Sequence, residues 1–418
     1  LFLRYRIYSP KDGTLFGLPM LYWCLWIAIL ILWMGRFVTP FLSMYLVSDM
    51  HVSAGVAGTV VSMYGFGGIL ASLFGGILSD RFGRRVMIIV GEVSAAVLLV
   101  VLAHVSSVAV MSVVLFVYGA LSSLAGPSIS AYIADIVPVA HRQRAYTLQI
   151  WAMNFGFTIG PIVANQLVVI SYHLIFYVEA AVLLLVVALL LVVFRNVRNG
   201  RKPDVYENKF SFAANYRRTL TDVPFVMFVV LMIGYTLAYF QNTSGLPISM
   251  GELGLGTPEY SLLLSINGAI LCVLQIPAIR LFERMGNSMV LVMGLALTAV
   301  GFGIQIFATS WTGFAVATVL WSLGELGTFP IASTTVSGLA PSDCRGTYQG
   351  IYNLTWSLSH GLAPLLGGLV ISAFGGQRLW IICTVLLAAV TVGLWLSKGG
   401  RERAVSDNLR REQLRTLR

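Results

Sequence analysis

About twelve apolar runs stand in this chain, near residues 21–47, 54–78, 86–104, 107–136, 145–170, 174–194, 223–246, 259–282, 286–308, 311–339, 345–374 and 376–396. Crossing the hydrocarbon of a bilayer takes about 20 apolar residues. Inside hydrocarbon a segment must satisfy its own backbone N–H and C=O groups, so runs of this length fold as helices. Composition agrees: 57% of residues are hydrophobic and 11% charged, where a soluble domain carries roughly a quarter charged. Little chain remains for a domain in water.

The net charge of +10 points to nucleic acid only while position is ignored. With twelve crossings, 25 of the 27 Lys and Arg residues fall on one side. Arg378 is the loop exception, and Arg36 lies within a run. Basic residues collect in cytoplasmic segments, which puts both termini in the cytoplasm and removes any need for nucleic acid. Cys24, Cys272, Cys344 and Cys383 have no metal-ligand spacing and form no disulfide framework. His51, His104, His141, His173 and His360 are scattered. There is no GxxxxGK[ST] phosphate loop, so neither ATP, a metal nor another cofactor is expected. No clustered nucleophile and base mark an enzyme. The first run is too long for a cleavable signal and lacks its small-residue cleavage site.

The one long polar stretch, 195–222, is basic and interrupted by Gly200 and Pro203. It divides the chain into a six-helix half (1–194), a linker (195–222), a second six-helix half (223–397) and a basic tail (398–418). An ungapped shift of about 203 residues, for example from Arg81 to Arg284, superposes the halves. It places Gly65 on Gly268, Gly83 on Gly286, Gly91 on Gly294, Pro127 on Pro330, Ser130 on Ser333, Pro138 on Pro341, Arg142 on Arg345 and Pro161 on Pro364. The matches are mostly residues that mark turns and membrane surfaces, where chance would match Leu and Val. Six crossings per half make the repeat parallel, an arrangement found in carriers whose halves rock about a site near the midplane.

Between the second and third runs stands Gly76-Ile-Leu-Ser-Asp80-Arg81-Phe-Gly83-Arg84-Arg85. Its charges belong at a membrane surface, because arginine in hydrocarbon costs on the order of 3 kcal/mol. The stretch resembles the signature of the major facilitator superfamily, and Arg280-Leu-Phe-Glu283-Arg284-Met-Gly286 resembles its weaker second copy. The resemblance covers nearly the whole chain. It implies an all-α fold of twelve spans in two parallel-repeat halves, in a bacterial cytoplasmic membrane. It also implies a conformational latch at Asp80, Arg81, Gly83, Arg84 and Asp135. Gly156-Phe-Thr-Ile-Gly160-Pro161 resembles the signature of drug–proton antiporters in that superfamily, although Ala164-Asn165 stands where a Gly pair is frequent. Glycines at a four-residue step let helices pack closely.

Two unduplicated charges stand at mid-span: Arg36, which meets Tyr239 at the repeat shift, and Glu325, which meets Ser122. Ionisable groups at that depth are functional candidates. Glu325 and Arg36 are expected at a central cavity, with Glu325 exchanging protons and Arg36 setting its charge state or holding an anionic group. Glu92, read near the cytoplasmic end of its span, and Glu179, read near the outer end, are lesser candidates. The resemblance places spans one, four, seven and ten around the cavity, where Tyr118, Tyr235, Tyr239, Gln241, Asn242 and Trp321 suit an amphipathic organic substrate. The expectation is a monomeric proton-coupled exporter of hydrophobic or amphipathic small molecules. Its partners would be that substrate, protons and the lipid bilayer. A nutrient symporter or a glycolipid flippase is the alternative within transport. A non-transporting receptor or a polytopic enzyme is the alternative outside it.

Overall fold

The computed structural model describes residues 14–15, 17–138, 141–195, 212–282, 284–341 and 344–416. The linker expected at 195–222 therefore lies mostly outside the described residues, as do Glu283 and the side chain of Arg280 from the second copy of the charged signature. A short hairpin opens the described chain, β1 (Thr14–Leu15) against β2 (Leu18–Pro19). Seventeen helices follow: α1 (Met20–Gly35), α2 (Val38–Ser48), α3 (Ala54–Phe82), α4 (Arg84–Leu102), α5 (Val108–Ser122), α6 (Ala125–Ile136), α7 (Arg142–Ile170), α8 (His173–Arg195), α9 (Phe212–Thr221), α10 (Val223–Tyr239), α11 (Gly245–Gly251), α12 (Thr257–Phe282), α13 (Asn287–Gln305), α14 (Trp311–Leu339), α15 (Arg345–Phe374), α16 (Gly376–Leu396) and α17 (Lys398–Thr416).

Among the described residues these form 12 segments long and apolar enough to cross a membrane. The repeat appears in the helix starts. Positions 20, 54, 84, 108, 142 and 173 recur at 223, 257, 287, 311, 345 and 376.

Three spans read as continuous runs are broken. The first divides between α1 and α2 at Arg36–Phe37, the fourth between α5 and α6 at Ser123–Leu124, and the seventh between α10 and α11 through a 3₁₀ turn at Phe240–Asn242. A proline lacks the N–H that would bond the carbonyl four residues earlier, and its ring crowds that carbonyl. Pro40, Pro127 and Pro247 each follow a break at about that distance. Each break also holds a small residue: Gly35, Ser123 or Gly245. Proline alone does not suffice, since α7, α12, α14 and α15 run on through Pro161, Pro277, Pro330 and Pro364.

The chain clusters into two compact units. Unit 1 is Leu1–Pro40 with Phe66–Val205, and unit 2 is Phe41–Gly65 with Tyr206–Arg418. The assignment of 41–65 to unit 2 differs from the division read from sequence. Its cause is backbone-to-backbone packing, because Gly58 and Gly65 of α3 lie against Pro364, Gly368 and Gly361 of α15 with no room for a Cβ. Phe41 also meets Tyr260 edge to face, with ring centres 5.6 Å apart. In unit 1, α4 packs on α5, α6 and α8, while α1 packs on α7 and α8. In unit 2, α13 packs on α14 and α16, α12 on α14, and α10 on α15 and α16. The α13–α14 contact is close at Gly294, where an added Cβ would lie 2.7 Å from the Gly324 carbonyl oxygen.

The basic tail folds as α17 and docks on unit 2. Arg401 is buried with its guanidinium over the Phe228 ring, and that burial lowers its pKa from the ordinary arginine value. Asn408 donates to the carbonyl of Leu339, 2.7 Å away, satisfying an orphan acceptor where α14 ends.

Candidate functional site

Unit 1 builds its polar centre on the break in the first span. Backbone torsions leave the helical range at Arg36 (φ −84°, ψ 81°), and the first N–H groups of α2 have no carbonyl behind them. Glu179 of α8 supplies the acceptor. Its Oε2 takes hydrogen bonds from the backbone N–H of Phe37 (3.1 Å) and Val38 (2.7 Å). Its Oε1 takes one from the Tyr118 hydroxyl at 3.1 Å. A carboxylate at a helix N-terminus is also stabilised by the helix dipole.

Released from the helix, Arg36 reaches Glu92 of α4. Its Nη2 donates to Oε1 at 3.2 Å and Oε2 at 3.4 Å, and its guanidinium lies 5.9 Å from the centre of the Trp33 ring. Arg36 thus has a carboxylate of its own, where the expected role tied it to Glu325. Glu92 is 0% exposed, and its guanidinium partner compensates the cost of burying its charge.

The glycines of the antiporter-like signature give way to the same feature. A Cβ on Gly156 would lie 2.7 Å from Trp33 Cβ and 2.8 Å from the Met34 nitrogen, and one on Gly160 would lie 3.1 Å from the Met34 carbonyl oxygen. These positions on α7 receive the α1 backbone just before Arg36. Pro161 lies within the unbroken α7.

The charged turn lies at another corner of unit 1. Gly83 takes φ +94°, a left-handed value that favours glycine, and caps α4. Arg84 forms an ion pair with Asp135 and donates to the Ala131 carbonyl at 2.6 Å, tying α4 to α6. Arg81 is exposed, with its guanidinium 5.5 Å from the Phe82 ring centre. Asp80 lies on α3, and its side chain is outside the described residues.

Unit 2 gathers around Glu325 of α14, which is 8% exposed. The Tyr239 hydroxyl, at the end of α10, donates to Oε1 at 2.8 Å. Asn267 Nδ2 of α12 donates to Oε2 at 2.9 Å and also to the Ser322 hydroxyl at 3.0 Å. No cation lies within 4 Å of Glu325 among the described residues. Tyr235 stacks on Tyr239 at 5.9 Å, and Trp321 meets Tyr239 edge to face at 6.0 Å.

Of the expected cavity residues, Tyr235, Tyr239 and Trp321 therefore surround Glu325. Gln241 and Asn242 form the break in the seventh span, where Gln241 Nε2 donates to the Ala363 carbonyl at 2.8 Å. Tyr118 belongs to the Glu179 centre in unit 1. Asn267 is absent from the residues expected at the site, although an amide inside an apolar run, as here in α12, is the signal that marks it. Glu92 is the ninth of the 19 residues of α4, so it stands at mid-helix and not near an end. The described residues hold no group of three or more side chains able to bind a metal ion.

Similar proteins agree with this architecture. An uncharacterised MFS-type transporter, YqjV of Bacillus subtilis, is 27% identical over 370 residues, covering 86% of this chain and 89% of its own. Multidrug resistance protein 1 of the same organism is 23% identical over 328 residues, covering 78% and 83%. The crystal structure of a POT family transporter with a bound thioalcohol-conjugated peptide superposes with a TM-score of 0.79. It covers 93% of this chain and 98% of that one, at 16% identity, which speaks to the fold. The family model of the Major Facilitator Superfamily matches residues 25–256 and 231–417. With twelve membrane-crossing helices and a repeat that recurs helix by helix, the chain belongs to the Major Facilitator Superfamily, a family of membrane transporters and not of enzymes.

Proposed function

We propose that this transporter exports hydrophobic or amphipathic small molecules in exchange for protons, as a monomer working by alternating access. The observation that carries the reading is the setting of Glu325. Among the described residues, three buried carboxyls stand in the spans. Glu92 has a guanidinium partner and Glu179 has a helix N-terminus. Glu325 has neutral donors alone, Tyr239 and Asn267. A buried charge is costly unless it is paired, so a proton is the natural counter-charge for this acid.

In this scheme Glu325 takes a proton while unit 2 is open to the outside. Substrate leaves, and the proton departs inward after the carrier turns. The Asp80–Arg85 turn and the Arg84–Asp135 pair lie at the basic ends of their helices, which the charge distribution assigns to the cytoplasm. They serve there as part of the closure on that side. The drug-antiporter resemblance at Gly156–Pro161 and the multidrug-resistance relative support export.

Purified protein in liposomes with an imposed pH gradient tests the reading. Substrate is expected to move against the proton flow, and Glu325→Gln is expected to abolish that coupling. Protons and substrate moving in the same direction would establish a symporter instead. Full pH-driven flux in Glu325→Gln would remove the acid from the mechanism.

A further inference from the structure

The last helix opens with a turn that no span requires. Ser397 alone separates α16 from α17, so the first turn of α17 lies where the last span, Gly376–Leu396, leaves the membrane. Trp395 and Leu396, just before it, are exposed, and tryptophan favours the boundary between hydrocarbon and water. The first N–H groups of a helix have no carbonyl behind them. In α17 these belong to Lys398, Gly399 and Gly400; the N–H of Arg401 is the first with a carbonyl, that of Ser397 at 3.2 Å. No acidic residue stands in this turn. Both glycines are exposed, and a Cβ on Gly400 would meet nothing within 4 Å.

Arg401 ends this turn, and its side chain runs back to the start of the helix. Its Nη1 donates to the hydroxyl of Ser397, the residue that precedes α17. The guanidinium lies 5.7 Å from the centre of the Phe228 ring on α10, and Arg401 is 2% exposed. Its Nε and Nη2 have no hydrogen-bond acceptor, and among the described residues no carboxylate comes within 4 Å of the group. A buried charge is costly unless it is paired, and the ring face offsets part of that cost. Glu402 follows on the exposed side, against the further positive charges of Lys398 and Arg403. The start of α17 therefore combines open backbone N–H groups, the positive end of a helix dipole and a guanidinium that lacks an anion.

We propose that the N-terminal turn of α17 is a phosphate site at the membrane surface, occupied by the headgroup of an anionic phospholipid. The phosphate oxygens accept from the N–H groups of Gly399 and Gly400, the pairing that helix N-termini offer to phosphates in general. Arg401 supplies the counter-charge at the base of the turn, and Lys398 a second one at its edge. Glycine at both positions lets the phosphate reach the backbone, where a side chain would stand in the way. Trp395 and Leu396 offer the apolar surface on which the acyl chains lie. Charge selects among lipids: a glycerol headgroup leaves the phosphate its negative charge, and a choline headgroup brings a cation towards Lys398, Arg401 and Arg403. An occupied site also steadies α17 on unit 2, because it balances the charge buried where α17 meets α10.

Equilibrium binding and melting of the purified full chain in a neutral detergent test the assignment. The probes are dioleoylphosphatidylglycerol, dioleoylglycerol (the same acyl chains without phosphate) and inorganic phosphate. Phosphatidylglycerol is expected to bind, at least tenfold more weakly in Arg401→Met, which keeps an apolar stem over Phe228. Arg410→Gln removes one positive charge from an exposed position further along α17 and is expected to weaken binding less than twofold. Gly400→Asp places a carboxylate at the open N–H groups. It is expected to raise the melting temperature of the lipid-free protein and to abolish the further rise that the lipid brings. Equal losses in Arg401→Met and Arg410→Gln would mean diffuse attraction to a basic tail and would overturn the site. Dioleoylglycerol binding as tight as phosphatidylglycerol would overturn it too. If inorganic phosphate alone reproduces the rise in melting temperature at equal concentration, the phosphate site stands and its assignment to a lipid falls. If Arg401→Met does not fold, Gly400→Asp decides: stabilisation by the lipid undiminished in that variant overturns the proposal.

Discussion

Arg36 and Tyr239 occupy matching places in the two repeats, at the breaks of the first and seventh spans, and each donates to a buried carboxylate. Arg36 reaches Glu92 at 3.2 Å, and Tyr239 reaches Glu325 at 2.8 Å. The duplication has kept a broken helix whose residue at the break holds an acid, with Arg36 out of the helical range and Tyr239 the last residue of α10. It has changed the donor from a permanent cation to a neutral phenol. A guanidinium is always charged and a phenol is neutral, so Glu92 sits in an ion pair while the donors to Glu325, Tyr239 and Asn267, are neutral.

Replacing Tyr239 with Phe tests the neutral side of this contrast. The ring contacts with Tyr235, Trp321 and Phe329 survive, and the hydroxyl to Glu325 is lost. A hydrogen bond to a charged group contributes about 1.5–3 kcal/mol. Proton-driven flux in liposomes should therefore fall by roughly ten- to a hundredfold, while the protein stays monodisperse. Unaltered flux would mean that the phenol does not support the acid's work.

Arg36 and Glu92 should behave as a coupled pair. Arg36→Gln leaves Glu92 buried with no cation, at a cost of about 3–5 kcal/mol. Adding Glu92→Gln removes the stranded charge and should recover most of that loss. Melting curves of the four proteins complete a double-mutant cycle. A double variant no more stable than Arg36→Gln would show that the two residues do not act together.

Glu179 should matter for order more than for charge balance. Glu179→Ala strips the acceptor from the N–H of Val38, leaves that of Phe37 with the Gly35 carbonyl alone at 3.2 Å, and removes the carboxylate from the Tyr118 hydroxyl. Unsatisfied buried donors cost about 1–3 kcal/mol each. Glu179→Gln keeps a neutral acceptor and loses the charge–dipole part, up to about 2 kcal/mol. Stability should fall in the order wild type, Gln, Ala, with amide exchange at Phe37 and Val38 rising in the same order. Equal exchange at these amides in all three would rule out the cap.

Much of this architecture is legible in the sequence, for definite reasons. Spans show as long apolar runs because hydrocarbon tolerates little else, and the repeat shows because Gly, Pro and Arg mark turns and surfaces. Glu325 stands out as a lone charge in apolar surroundings. Tyr239 is among the residues expected around the cavity, but its bond to Glu325, and that of Asn267, are not legible, because pairing across a helical bundle leaves no trace in spacing. Glu92 and Glu179 lie 87 residues apart in sequence and serve one break in the first span. The break at Arg36 is indicated by Pro40 four residues on, yet Pro161 and Pro330 carry the same mark in helices that continue. The exchange of 41–65 into unit 2 depends on glycine faces that meet in space alone.

The role of Gly156 can be isolated by making one chemical change at two sites. Gly156→Ala in α7 adds a methyl group that would lie 2.7 Å from Trp33 Cβ and 2.8 Å from the Met34 nitrogen. One of those atoms is backbone, so the α1 side of the contact must retreat and cannot simply rotate a side chain away. Gly350→Ala in α15 adds the same methyl with nothing within 4 Å. Both glycines are helical, so both changes gain about 0.5–1 kcal/mol of helix propensity. Only Gly156→Ala meets the overpacking cost of about 1–3 kcal/mol. Melting should therefore show Gly350→Ala at or above wild type and Gly156→Ala below it. Because Arg36 follows Met34 by two residues, retreat of α1 also shifts the guanidinium away from Glu92. Proton-driven flux should then fall in Gly156→Ala by more than its loss of folded protein explains. Equal melting temperatures for the two variants would mean that the contact at Trp33–Met34 yields freely. The glycine step in α7 would then have no part in setting the break that carries Arg36.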